Sequence, residues 1–141
     1  MAITHYAANV IHLAGNIVRV NDIATSVALT PGMAVARSGG AYGFHPAAAA
    51  GPLTLALDAP EMNKTIDDTY AANDLLWAGV FPAGSTGLAW LASGQNVADG
   101  AVLESAGAGK LRALAAGVPL ARAIEAKNAT TGDARIRVEA V

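Results

Sequence analysis

The sequence predicts an all-β protein, a small sandwich or barrel built from two related β-rich halves behind an extended N-terminal arm. Three observations carry this expectation. First, the second half restates the first. Pro31-Gly32-Met33-Ala34-Val35 runs through Gly39-Gly40 to Pro52-Leu53-Thr54-Leu55-Ala56-Leu57-Asp58-Ala59, and Asp99-Gly100-Ala101-Val102-Leu103 runs through Gly107-Ala108-Gly109 to Pro119-Leu120-Ala121-Arg122-Ala123-Ile124-Glu125-Ala126. Gly32 and Gly100 lie 68 positions apart and Pro52 and Pro119 lie 67 apart, so one single-residue gap aligns the stretches. Second, glycine and proline recur so often that few windows remain long enough for a helix, although 34 alanines favour one. Third, apolar residues between these breakers alternate with period two, as at Leu53, Leu55 and Leu57 or Ile136 and Val138.

Taken in order, residues 1–9 read as an arm ahead of a single domain spanning 1–141, with a first half at 10–66 and a second at 67–141. Strands are expected at 10–13, 16–20, 26–29, 33–38, 52–58, 75–81, 86–92, 101–105, 109–114, 119–126 and 133–141. Gly39-Gly40 and the glycines at 107–109 read as equivalent hairpin turns. Asp58 is placed to cap a short helix with Pro60 just inside and Glu61 in its first turn, ending near Asn63. The polar run 63–69 reads as the hinge between halves. In the last strand, Arg135, Arg137 and Glu139 are expected on a wet face and Ile136, Val138 and Ala140 on a buried one.

Composition narrows the function. A chain of 141 residues suits one core, and 34 alanines against 13 leucines, 11 valines and 7 isoleucines predict a thin core of small residues. Only 14% of residues are charged, which favours an oligomer or a surface made to be covered. Net charge is −2 and the nine basic residues are scattered, so no nucleic-acid partner is expected. Absence of cysteine removes disulfides, a thiolate nucleophile and thiolate zinc sites. Neither a signal segment nor a membrane-length apolar run is present, so a soluble, unexported chain is expected, with no membrane partner.

The motifs that carry chemistry fail their own spacing tests. Ala106-Gly107-Ala108-Gly109-Lys110 resembles a phosphate loop, but Glu104 stands where that loop needs a glycine and Leu111 where it needs Ser or Thr. Ser85, Ser93 and Ser105 each lack a flanking glycine of a nucleophile elbow. His5, His12 and His45 are not at metal-binding spacing, and Asp67, Asp68 and Asp74 lack the order of a calcium loop. Asn63-Lys64-Thr65 and Asn128-Ala129-Thr130 read as polar turns. No catalytic, cofactor or metal residue is therefore expected. Trp77 and Trp90 fall on successive strands, where a core plug and a partner anchor are both open readings.

The stretch Tyr70-Ala71-Ala72-Asn73-Asp74, then Trp77-Ala78-Gly79-Val80-Phe81-Pro82-Ala83-Gly84 and Leu88-Ala89-Trp90-Leu91-Ala92-Ser93-Gly94-Gln95-Asn96-Val97-Ala98-Asp99-Gly100, resembles head decoration (capsid cement) proteins of tailed bacteriophages. The resemblance continues through Gly109-Lys110-Leu111-Arg112, Ala123-Ile124-Glu125-Ala126 and Arg135-Ile136-Arg137-Val138-Glu139, covers most of residues 67–141, and contains no catalytic signature. It implies a small β-rich virion protein that adds to the outer surface of a head assembled in the host cytoplasm. Its partners would be the major capsid protein and copies of itself, commonly as a homotrimer. The arm residues Ile3, Thr4, His5 and Tyr6 are β-prone and nearly uncharged, and are the expected capsid contact by strand addition. Rival readings are a tail or minor shell component, a carbohydrate-binding or adhesive β-module using exposed aromatics, and an enzyme, which would need converging titratable groups.

Overall fold

A computed structural model describes residues 9–141; the expected arm contacts Ile3, Thr4, His5 and Tyr6 lie outside the described residues. Among the described residues there are thirteen strands: β1 (His12–Ala14), β2 (Val18–Ala24), β3 (Val35–Ser38), β4 (Ala41–Phe44), β5 (Leu53–Ala56), β6 (Leu75–Phe81), β7 (Thr86–Leu91), β8 (Asn96–Val97), β9 (Val102–Gly107), β10 (Lys110–Ala113), β11 (Ala121–Ala123), β12 (Lys127–Asn128) and β13 (Ala134–Ala140). One 3-10 turn, Pro60–Met62, is the only helical element among the described residues. The all-β expectation holds.

The strands form two rings. In the second, β7, β10, β9, β11 and β13 follow one another and β13 pairs back to β7, which closes a five-stranded barrel. Its one parallel joint sets Leu111 of β10 against Leu91 of β7. In the first, β6 pairs with both β2 and β5, and β3 pairs with β4. Two narrow joints complete that ring: an antiparallel bridge from Ala34 to Leu55 and a parallel bridge from Thr25 to Tyr42. Closure matters because it leaves few strand edges open to wrong partners.

The two rings repeat each other hydrogen bond for hydrogen bond. Gly32 N donates to Ala56 O over 2.8 Å and Ala56 N to Met33 O over 3.0 Å; Gly100 N donates to Ala123 O over 2.8 Å and Ala123 N to Ala101 O over 2.8 Å. The Ala34–Leu55 bridge corresponds to the Val102–Arg122 pair. Both parallel joints recur too, with Ser26 N donating to Tyr42 O and Ala92 N to Leu111 O. Each hairpin turns on two residues of positive φ, Gly39 (61°) with Gly40 (82°) and Ala108 (53°) with Gly109 (80°), whose twist matches that of the strands they join.

The boundary between halves needs correcting. β6 falls in the stretch 67–141, yet it pairs on both sides with first-half strands, so the first ring ends at Phe81 and the joint is Pro82-Ala83-Gly84-Ser85. The run 63–69 is no hinge: Thr65 N donates to Asp68 Oδ2, Asp67 pairs with Arg135, and Tyr70 bridges to Leu29. Three strands had no clear alternation to announce them: β4 is interrupted by Gly43, and β8 and β12 have two residues each. The strand expected at 26–29 is a turn that contributes only a bridge at Leu29. β2 runs further than expected because a bulge between Val20 and Ile23 absorbs Asn21-Asp22 and resets its alternation. Asp58 caps nothing; Ala59 holds the cap position of the 3-10 turn, and Asp58 Oδ1 instead accepts from Ile11 N over 3.0 Å.

The interior is not the thin, small-residue core that composition predicts: ten leucines, two tyrosines and Phe81 are buried beside nine alanines, and most of the other alanines lie nearer the surface. Leu29, Val35, Tyr42, Ala56, Tyr70, Leu76 and Ala78 pack within the first ring, and Tyr70 donates its hydroxyl to Leu57 O. A larger cluster is shared between rings: Leu53, Leu55, Leu57 and Phe81 from the first meet Leu88, Leu91, Leu103, Leu111, Ile136 and Val138 from the second, with Ile11 beside them. The contact is so close that a Cβ added at Gly87 falls 2.8 Å from the Phe81 ring. β13 buries Ile136, Val138 and Ala140 as expected, but its other face is not wet: Arg135 and Arg137 side chains are 16% and 19% exposed.

Candidate interaction surface

The duplication places one loop of each ring in direct contact. The segment from the end of β4, Phe44-His45-Pro46-Ala47-Ala48-Ala49-Ala50-Gly51-Pro52, and the segment from the end of β10, Ala113-Leu114-Ala115-Ala116-Gly117-Val118-Pro119, occupy equivalent places and touch. Val118 N donates to Ala48 O over 3.3 Å, and a Cβ on Gly117 would lie 2.7 Å from Ala48. Neither segment carries a charged residue, and their one ionisable side chain, His45, is buried and donates through Nδ1 to Pro46 O. Phe44, Leu114 and Val118 stand exposed at 36%, 39% and 41%, with Pro46, Ala47, Ala115 and Ala116 between them also open to solvent. The two touching segments thus expose only uncharged, mostly apolar side chains at one place on a small protein.

What holds these loops is polar and buried. Ala48 N donates to Ser105 O, and Ser105 Oγ donates to His45 O over 3.1 Å. Beneath the second loop, Glu104 is fully buried, and its Oε1 accepts from Arg112 Nε at 3.2 Å and Ala115 N at 3.0 Å. Its Oε2 has no partner among the described residues. In the first ring the cross-strand pair equivalent to Glu104–Arg112 is Ala36–Gly43, so this carboxylate anchor belongs to one loop alone. Ala48 adopts φ 59°, a left-handed conformation that costs an alanine of order 1 kcal/mol and is kept only where surrounding contacts impose it.

The residues singled out by chemistry are dispersed. Ser85 donates its hydroxyl to Pro82 O at 2.6 Å, so it ties a turn, and the glycines at 107–109 form the β9–β10 reversal. His12 Nε2 donates to Gly15 O. Asp68 and Asp74 accept from Thr65 N and Ala71 N, and Asn128 accepts from Thr130 N. Trp90 joins the rings, its indole N–H donating to Pro31 O at 3.0 Å, and Trp77 packs partly buried against both apolar clusters. The paired loops were not singled out by motif; the available signal was their shared lack of charge around Gly51-Pro52 and Gly117-Val118-Pro119.

Compared with protein-family models and with curated proteins, the chain finds no match.

Proposed function

We propose that this protein is a head decoration (cement) protein of a tailed bacteriophage, a structural protein that assembles as a multimer on the outer capsid surface and binds the major capsid protein across subunit joints. The observation that carries the reading is the uncharged end formed by the paired loops. A surface with no charge and with Phe44, Leu114 and Val118 exposed has the composition of an obligate interface, which resembles a domain core cut in half and is covered permanently. Permanent cover points to copies of the same chain in a closed oligomer, and the resemblance to decoration proteins makes that oligomer a trimer. The resemblance of residues 67–141 to decoration proteins supports the same role.

Two rigid closed rings suit a load-bearing part, and several copies joined at the loop end multiply weak shell contacts into avidity. The arm, with Ile3, Thr4, His5 and Tyr6, leads directly into β1, which pairs on one side with β7, and strand addition by the arm is the proposed shell contact. Deleting residues 2–8 tests this. The truncated protein is expected to keep its thermal transition and multimeric state while losing co-sedimentation with expanded phage heads. Unaltered co-sedimentation would reject the arm as the contact.

A further inference from the structure

A second surface is built by β1, β2, β6 and the segment that follows β5. Trp77 of β6 is among the residues that line it. Leu57 N donates to Trp77 O on one side, and on the other the register Arg19–Gly79 and Val20–Ala78 brings Asn21 next to Trp77. Together with Arg19, Asn21, Asp58, Glu61 and His12, Trp77 lines a groove of about 490 Å³. The Asp58 bond to Ile11 N fixes one wall, and the 3-10 turn at Pro60–Met62 forms another. The tryptophan is held by apolar packing behind it and remains partly open in front.

We propose that this groove is a saccharide-binding site. A sugar ring presents an apolar C–H face and a rim of hydroxyls that both donate and accept. An indole face, negative at its centre, takes the C–H face. Asp58 and Glu61 accept from hydroxyls, Arg19 donates to them, and Asn21 does both. Two carboxylates in the lining disfavour a phosphate or other anion, and the density of polar side chains disfavours a purely apolar ligand. The site is independent of the loop end and of the proposed role on a capsid, and gives the molecule a means of engaging glycan-bearing surfaces.

The test is a two-dimensional NMR titration of the full chain, whose two tryptophans give two indole N–H signals, that of Trp90 assigned by its proximity to Pro31. Chitotriose, maltotriose and lactose are added separately, with glycerol as control. At least one sugar is expected to shift the Trp77 indole saturably with a Kd of about 1–10 mM, the range a shallow site supports, and to leave Trp90 in place. Asn21→Ala and Glu61→Gln, both at exposed positions, are expected to weaken that binding about fivefold each through loss of one hydrogen bond. The proposal is overturned if no sugar moves Trp77, if glycerol moves it equally, if Trp90 shifts to the same extent, or if both variants bind as the parent does.

Discussion

The guanidinium of Arg135 lies 4.6 Å from the ring centre of Trp90, its direct cross-strand neighbour in the β7–β13 pair. From there it reaches across to the first ring, donating to Pro31 O, Ile66 O and Asp67 Oδ1. Both side chains therefore tie the second ring to the first at Pro31, since Trp90 also bonds Pro31 O.

Arg135→Ala is expected to destabilise the fold by about 2–4 kcal/mol, because the half-buried Ile66 carbonyl loses its donor and the cation–ring contact is lost. Arg135→Lys restores less than half of this, since an ammonium cannot span three acceptors as a planar fork does. Asp67→Asn, at a side chain 81% exposed, changes stability by less than about 0.5 kcal/mol. Urea denaturation midpoints at constant slope measure all three.

Gly117 has no room for a side chain. A Cβ there would collide with Glu104 Oε2 and sit 2.7 Å from Ala48; the Glu104 carboxylate is fixed through its other oxygen by Arg112 and Ala115 N, and Ala48 by its backbone bonds to Ser105 and Val118. Gly117→Ala is expected to cost about 1–3 kcal/mol and to displace the second loop from the first. Gly132→Ala, where nothing lies within 4 Å, serves as the control and stays within about 0.5 kcal/mol in the same thermal melts.

Ala108 holds φ 53° in a turn that the equivalent hairpin builds from two glycines. Ala108→Asn places a residue that tolerates this conformation ahead of Gly109, in the order type I′ turns favour, and is expected to stabilise by about 0.5–1 kcal/mol. An unchanged melting temperature would mean that the turn carries no strain.

Stability is expected to fall at high pH. Burial pushes the Tyr70 hydroxyl up to about 12, so the native state keeps its proton while the unfolded chain releases it near the ordinary value of about 10. The contribution is complete below pH ~10 and is lost at up to about 1.4 kcal/mol per unit as pH rises toward 12. Burial raises Tyr42 as well, with the same sign. Tyr70→Phe is expected to flatten this alkaline slope in denaturation curves while costing about 1 kcal/mol at neutral pH, where Leu57 O loses its donor. At the acid end, the hydrogen bonds from Lys110 and Ser93 N hold the Asp133 carboxyl below its ordinary range, so its contribution is present above pH ~4 and is lost as pH falls through the lowered value.

Reading the chain without its structure recovers the elements whose cause is local. Pro31-Gly32 and Asp99-Gly100 turn the chain because their glycines take positive φ, 95° and 90°, and Leu53, Leu55 and Leu57 or Ile136 and Val138 announce their strands by alternation. What depends on distant partners was hidden. β6 looks the same whether it belongs to the first ring or the second, and only pairing decides. Asp58 has the residue type of a helix cap, but the amide of Ile11, 47 positions away, takes it. Arg135 and Arg137 alternate as a solvent face does, yet the first ring and Glu125 cover them. The loop end was legible only in retrospect, because no motif marks two uncharged segments as neighbours until the duplicated rings bring Ala48 to Val118.

The most direct test of the loop end as a permanent interface is light scattering coupled to size exclusion, applied to the parent and to Leu114→Asp with Val118→Asp. The parent is expected to show three times the 14.1 kDa chain mass, and the charged variant a single chain with an unchanged β spectrum. A monomeric parent, or a variant that keeps the full multimer mass, would contradict the role given to these loops.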